Sequence, residues 1–423
     1  MSQEAEGGPS GPPSFFRGTF RSLEHYNYRV WAAGAIISNV GTWMQRTAQD
    51  WLVLTELTHR NATSVGIVMG LQFGPQLLFL PLTGLAADRL NRRNLLLATQ
   101  AMMGLLALGL GILTLSGAAR LWQVYIFALL LGCVAAFDAP ARQTFVSDLV
   151  PEEQLSNAVA LNSTSFNIAR LIGPAIAGIL IALVGTGWVF VLNAASYLAV
   201  LASIRLLRAS ELQPRQAVRR ARENLLDGFR YVAQRPDILC VLIMFGLIGT
   251  LGINFPIFIS TMAVGVFHAG AGEFGALTSM MAIGSVGGAL LAARRERPRF
   301  TFLILGATMF GLGLLLAAVM PSYVLFSAML ILVGLSAQTF TATANGAVQL
   351  WTTEHMRGRV MAILLAVALG GTPFGAPLVG WVADTFGPRA SLTLGAGSGF
   401  AAALVGAVYV ARRLVKPPGL RAP

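Results

Sequence analysis

Apolar runs long enough to cross a bilayer follow one another along almost the whole chain, and the last of them repeat the middle ones. A spanning helix needs about 20 mostly apolar residues. About twelve such runs are present, near 30–55, 64–86, 94–117, 121–147, 157–184, 188–207, 237–263, 274–293, 301–319, 322–350, 360–383 and 389–411. The stretch from Phe137 to Tyr197 aligns without gaps on the stretch from Thr339 onward. It pairs Glu152 with Glu354, Ala160 with Ala362, Gly173 with Gly375, Gly178 with Gly380 and Gly185 with Gly387. Glycines in register with equivalent flanking turns mark a duplication. The chain is therefore expected to be an all-α membrane protein of twelve transmembrane helices in two pseudo-symmetric six-helix halves. These are 28–207 and 236–411, joined by a cytoplasmic segment 208–235 and flanked by a disordered cytoplasmic tail, 1–27, and a second cytoplasmic tail, 412–423. Repeated membrane halves with a ligand bound between them are a recurrent plan of secondary transporters.

Composition excludes an ordinary soluble domain: of 423 residues, 55% are hydrophobic and 11% charged, against about 25% charged in typical globular domains. The formal net charge of +12 does not call for a nucleic-acid partner, because of where the charges lie. Most Lys and Arg fall at one end of the helix map: Arg17, Arg21 and Arg29, then Arg89, Arg92 and Arg93, the central segment, Arg294 to Arg299, Arg357 and Arg359, and the C-terminal tail. That bias marks cytoplasmic loops, so both termini are expected in the cytoplasm. Met1 to Pro13 is rich in Gly, Pro and Ser, which predicts disorder, and lacks the apolar core of a cleaved signal peptide. Within 208–235, Leu225, Leu226, Phe229 and Val232 recur at helical spacing among charged residues, as in an amphipathic linker helix on the membrane surface. Cys133 and Cys240 both sit in apolar runs, as packing residues rather than a disulfide or metal pair. No metal or cofactor is called for.

Between the second and third runs stands Gly84-Leu-Ala-Ala-Asp88-Arg89-Leu-Asn91-Arg92-Arg93. It closely resembles the G-x-x-x-D-R-x-G-R-R/K signature of the major facilitator superfamily, with Asn91 in place of the usual glycine, a residue that also tolerates a left-handed turn. Asn167-Ile-Ala-Arg170-Leu-Ile-Gly173-Pro174-Ala-Ile-Ala-Gly178 resembles the glycine- and proline-rich fifth-helix motif of antiporter members. Trp43-Met-Gln-Arg-Thr-Ala-Gln-Asp50-Trp51-Leu-Val, Glu223-Asn-Leu-Leu-Asp-Gly228-Phe-Arg-Tyr-Val and Glu354-His-Met-Arg357-Gly358-Arg359-Val-Met-Ala resemble the exporter branch that includes enterobactin and macrolide efflux proteins. The resemblance implies a monomeric transporter in a bacterial inner membrane, exchanging protons for a small-molecule cargo such as a drug, macrolide or siderophore. It also implies a cytoplasmic gate. Gly84, Asp88, Arg89, Arg92 and Arg93 would cluster with Asp148, at the end of the fourth helix, and latch the halves in the outward-open state. The matching loop of the second half, around Arg294 and Arg295, has no aspartate, so no symmetric latch is expected.

Charges inside a bilayer cost about 2.5–3.5 kcal/mol each on insertion scales and are functional candidates by default. Asn39, Trp43, Arg46 and Asp50 share one face of the first helix; Ser163, Asn167, Arg170 and Pro174 share one face of the fifth. On the fourth, Asp138 and Arg142 form an i, i+4 pair in the favourable acid-first order. With Gln72 and Gln76, these groups are expected to line a central cavity, opposite Asn254, Phe255, Gln338 and Asn345 of a neutral second half. Asp50 and Asp138 are the carboxylates placed inside helices and so the candidates for proton coupling. Asp138 is preferred, because Asp50 falls near the outer end of its helix. Each acid can equally be neutralised by its neighbour, Arg46 or Arg142, as a structural pair. Arg170 has no carboxylate nearby in sequence and is the stronger cargo contact.

Other functions fit less well. No G-x-x-x-x-G-K-[ST] loop provides for an ATP-driven pump and no H-E-x-x-H site for an intramembrane enzyme; His25, His59, His268 and His355 lie at or beyond helix ends. A proton-coupled importer, a lipid flippase and a membrane sensor that transports nothing would each carry the same fold.

Overall fold

A computed structural model of the protein describes residues 20–79, 82–83, 90–213, 225–294 and 298–415, and these contain helices and turns but no strand. The first half comprises α1 (Tyr26–Trp51), α2 (Ala62–Leu78), α3 (Arg92–Leu115), α4 (Leu121–Phe145), α5 (Glu152–Val184) and α6 (Thr186–Arg205). A short linker helix, Leu225–Ala233, leads into the second half. That half comprises α7 (Pro236–Val266), α8 (Ala271–Ala293), α9 (Phe300–Val319), α10 (Tyr323–Trp351), α11 (Glu354–Phe386) and α12 (Pro388–Val415). Helices α3 to α12 are each long and apolar enough to cross a membrane. α1 falls short on composition alone, because Asn27, Asn39, Gln45 and Gln49 lie on the face it buries in the bundle. α2 is described for only 17 residues.

The two halves pack by one scheme. α1 rests on α5 and α6, α3 on α4 and α6, and α2 on α4; correspondingly α7 rests on α11 and α12, α9 on α10 and α12, and α8 on α10. The halves meet along two lines, α5 against α8 and α2 against α11. Repeated residues occupy repeated roles. Gly185 and Gly387 end α5 and α11 with φ of +87° and +92° and ψ of 166° and 161°, a conformation essentially restricted to glycine. Gly178 and Gly380 let the halves touch: a Cβ would lie 2.6 Å from Ala271 O at the first and 2.5 Å from Ala62 O at the second.

Close approach between the halves is concentrated at the end of the bundle that carries the α1–α2, α5–α6 and α11–α12 turns. There α8 passes Pro174 and Gly178 of α5, while α2 passes Ala376 and Gly380 of α11. Toward the other end, which carries the termini, α5 leaves Val159, Ser163, Thr164 and Phe166 exposed. The halves thus pack most closely at the turn end, and toward the terminus end α5 presents exposed side chains on the face that carries Arg170.

Three local features differ from sequence expectation. Residues 20–27, expected within a disordered tail, are structured: Arg21–Glu24 forms a 3-10 turn, and buried Ser22 donates from N and Oγ to Asn157 Oδ1 at 3.0 and 2.7 Å. Asn91 does not take a left-handed turn; with φ −68° and ψ 112° it is the extended N-cap of α3, its side chain accepting from Asn94 N. Several helices are irregular where a hydropathy pattern reads straight through. α1 continues as a π-helical turn, Leu52–Leu57, and α7 contains two, Ile248–Gly252 and Met262–Val266. α11 is broken at Gly371, where Pro373 lacks a backbone donor. The linker helix buries Gly228 and Val232 and exposes Phe229, and the Tyr231 hydroxyl accepts from Thr353 N at 3.2 Å.

Candidate transport site

A cavity of about 350 Å³ lies between the halves. The face of α1 foreseen from spacing supplies Trp43, Arg46 and Asp50; α2 adds Gln72 and Phe73, and α5 adds Arg170. The second half contributes Phe255 and Pro256 where α7 restarts, Phe274, Thr278 and Ser285 from α8, Gln338 and Thr341 from α10, and Thr372 from α11. Charge is thus confined to the first-half wall, where Trp43 and Phe73 also lie, and the second-half wall is neutral, with aromatic and small hydroxyl groups.

Arg46 and Asp50, one turn apart on α1, interact electrostatically without forming a salt bridge. The Arg46 guanidinium lies over the rings of Trp43 and Phe73, 5.1 and 5.6 Å from their centroids, a contact strengthened by exclusion of water. Arg170 donates from Nη2 to Ser285 Oγ at 2.8 Å, spanning the halves. Among the described residues, Arg46, Asp50 and Arg170 form no salt bridge. The cavity ends at an aromatic stack: Trp51 and Phe274 face each other across the halves at 5.7 Å. Phe274 lines the cavity, whereas Trp51 lines a separate cleft at the turn end with His59, Arg60 and His268.

Asp138 stands apart from this cavity. Its Oδ1 accepts from Thr99 Oγ1 at 2.7 Å and Gln100 Nε2 at 2.6 Å, and its Oδ2 from Arg142 Nε and Nη2 at 3.2 and 3.1 Å. Arg142 Nη1 donates to Asn39 Oδ1 at 3.0 Å. Four donors converge on one carboxylate, the way a buried charge is ordinarily accommodated. Asn39 and Arg142, expected on the cavity wall, belong instead to this cluster behind it.

Other expected contacts also fall outside the wall. Gln76 borders a separate space of about 30 Å³ with Thr42, Gln45 and Tyr197, large enough for a single water. Asn167 donates to Ser163 O at 2.8 Å on the open stretch of α5. Asn254 is fully buried behind Phe255, its Nδ2 donating to Thr250 O at 2.8 Å. Asn345 lies two turns past Gln338 on α10 and does not reach the cavity. Of the expected gate, Arg92 pairs with Asp148 at 2.7 Å, and Arg93 donates to Ile204 O and Arg205 O, each at 3.2 Å. Both pairings lie within the first half. Gly84, Asp88 and Arg89 lie outside the described residues. Thr278, Ser285, Thr341 and Thr372 line the cavity without having been foreseen, since small hydroxyl residues in apolar helices usually bond their own backbone.

Two pseudo-symmetric helical halves around a mostly apolar cavity that carries a few charged groups are the arrangement of a multi-pass membrane transporter, and the comparisons with known proteins agree. The chain belongs to the transmembrane secretion effector family of the major facilitator superfamily, whose family model matches residues 17–416. It is 29% identical over 353 residues to the staphyloferrin A transporter of Staphylococcus aureus, covering 82% of this chain and 87% of that protein. It is 26% identical over 370 residues to the enterobactin exporter EntS of Citrobacter koseri, covering 86% and 87%. Among solved structures, it superposes on a bacterial Spinster homologue in an inward-facing, unoccupied conformation with TM-score 0.68, 15% identity and coverage of 95% and 96%. It superposes on a D-xylose–proton symporter with TM-score 0.70, 13% identity and coverage of 92% and 97%. At these identities, the structural likeness speaks for the fold.

Proposed function

We propose that this chain is a proton-driven exporter of amphipathic, siderophore-like small molecules across a bacterial inner membrane, working by alternating access as a monomer. The observation that carries this reading is the interfacial cavity with Arg46, Asp50 and Arg170, none of them in a salt bridge among the described residues, on one wall and a neutral wall of aromatic and hydroxyl groups opposite. With the termini in the cytoplasm, as the positive-inside bias favours, the less closely packed end faces the cytoplasm, where cargo loads. The names of the two curated relatives bias the cargo toward siderophores. Arg170 receives an anionic or acceptor group of the cargo, and the aromatic wall receives its apolar part.

Coupling sits best at Asp50, in place of the sequence preference for Asp138. Asp50 borders the cavity without a salt-bridge partner, whereas Asp138 is held by four donors whose pairing a proton would disturb. Exchange of cargo for protons requires that the two compete. A cargo that donates hydrogen bonds to the Asp50 carboxylate is displaced when external protons neutralise it.

Two arginines facing one acid favour a second reading. A purely anionic cargo would bind better once Asp50 is neutral, and the same cavity would then carry cargo and proton together, as an importer. Enterobactin binding to the purified protein, measured by calorimetry across pH, separates the two. Exchange requires affinity to fall as pH is lowered through the Asp50 titration and to become independent of pH in Asp50→Asn. Affinity that rises as pH is lowered would replace the exporter with the importer.

A further inference from the structure

The first backbone N–H groups of a helix have no acceptor within it, and α2 meets this need from two sources. Asn61 supplies the local one, its Oδ1 accepting from Ser64 N at 2.8 Å. The N–H groups of Ala62 and Thr63 are taken by Asp384 from the other half, through Oδ1 at 2.7 Å and Oδ2 at 2.8 Å, and Oδ2 also accepts from Thr63 Oγ1 at 2.6 Å. Gly380, one turn earlier on α11, permits this reach, since a Cβ there would lie 2.5 Å from Ala62 O. A carboxylate at the positive end of a helix adds a charge–dipole attraction. Parting the halves at the turn end would strip two helix N–H groups and one hydroxyl of their acceptor together.

Along the α5–α8 line the halves are bridged by Arg170 Nη2 to Ser285 Oγ at 2.8 Å and Ser279 Oγ to Leu171 O at 2.7 Å, and among the described residues no carboxylate of one half takes the first N–H groups of a helix in the other. The start of α8 is closed by its own Glu273, whose Oε2 accepts from Gly270 N at 2.6 Å, and the residue that the repeat aligns with Asp384 is Ala182. Given the alternating-access reading above, we infer that Asp384 is a positioning residue for transport, a one-sided latch that holds the turn end shut. Its release sets how readily the protein passes to the state open on that side. Asp384 lies outside both the cargo cavity and the Arg92–Asp148 pair.

The test is electron–electron distance spectroscopy on the full chain, with Cys133 and Cys240 replaced by alanine. One pair of nitroxides is placed at Ala118 and Pro321, at the turn end, and another at Ser210 and His355, at the terminus end. Asp384→Ala is expected to raise the outward-open fraction about tenfold or more, seen as longer turn-end and shorter terminus-end distances. Asp384→Asn, which keeps one carbonyl acceptor, and Thr63→Val, which removes one of the three bonds, should shift the same way by less. Distances in Asp384→Ala that match the parent would overturn the latch, as would broadening at both ends together with a lowered Tm, which would mark a fold role. Enterobactin-induced shifts recorded on the parent keep a failed latch distinct from a failed transport reading.

Discussion

At the residue scale, the central distinction is between charges that satisfy one another and charges left facing the cavity. Asp138 and Arg142 are of the first kind, and removing one partner of a buried pair costs about 3–5 kcal/mol. Arg142→Met should lower Tm in detergent by that equivalent. Asp138→Leu combined with Arg142→Met should recover part of the loss and still transport against a gradient; loss of coupling in the stably folded double variant would return Asp138 to the proton path. Arg170 is of the second kind. Arg170→Gln should weaken enterobactin binding by about tenfold or more, as expected for a charge-assisted bond worth roughly 1.5–3 kcal/mol, with little change in Tm. Calorimetry beside thermal unfolding reads both. The sequence makes the four α1 positions legible as one face, because spacing alone sets it. It does not reveal that Asn39 turns to Arg142 while Arg46 turns to Phe73, since those partners come from other helices.

At the element scale, the duplicated turns were the most legible feature, because φ near +90° leaves glycine almost no substitute. Gly185→Ala and Gly387→Ala should each destabilise by about 1–3 kcal/mol, the usual cost of that backbone region for a residue with a side chain. Similar falls in Tm for the two variants would match their shared geometry, and no fall in either would contradict it. The apolar runs likewise give the helices and their order. They do not give the π-helical turns at Leu52–Leu57 and Met262–Val266, which widen the backbone without changing the hydropathy pattern, nor the break at Gly371. These irregularities fall on α1, α7 and α11, helices that pack on one another or form the line between the halves.

At the scale of the molecule, the chain is two similar bodies joined along α5–α8 and α2–α11, with a cavity between them and their closest packing at the turn end. Rigid halves sharing a site can rock about it, so that the cavity faces each side in turn. Charge is divided unequally between the halves: the first supplies all the charged groups of the cavity beside Trp43 and Phe73, and the second supplies a neutral aromatic and hydroxyl surface. Such a cavity suits amphipathic cargo of more than one shape. The most direct measurement is uptake of enterobactin into everted membrane vesicles held acid inside, with a luminal pH dye. Uptake against the cargo gradient with lumen alkalinisation is expected. In Asp50→Asn both should vanish, while exchange of labelled for unlabelled enterobactin continues. Concentrative uptake that survives undiminished in Asp50→Asn, or that runs only when the proton gradient is reversed, would contradict the account.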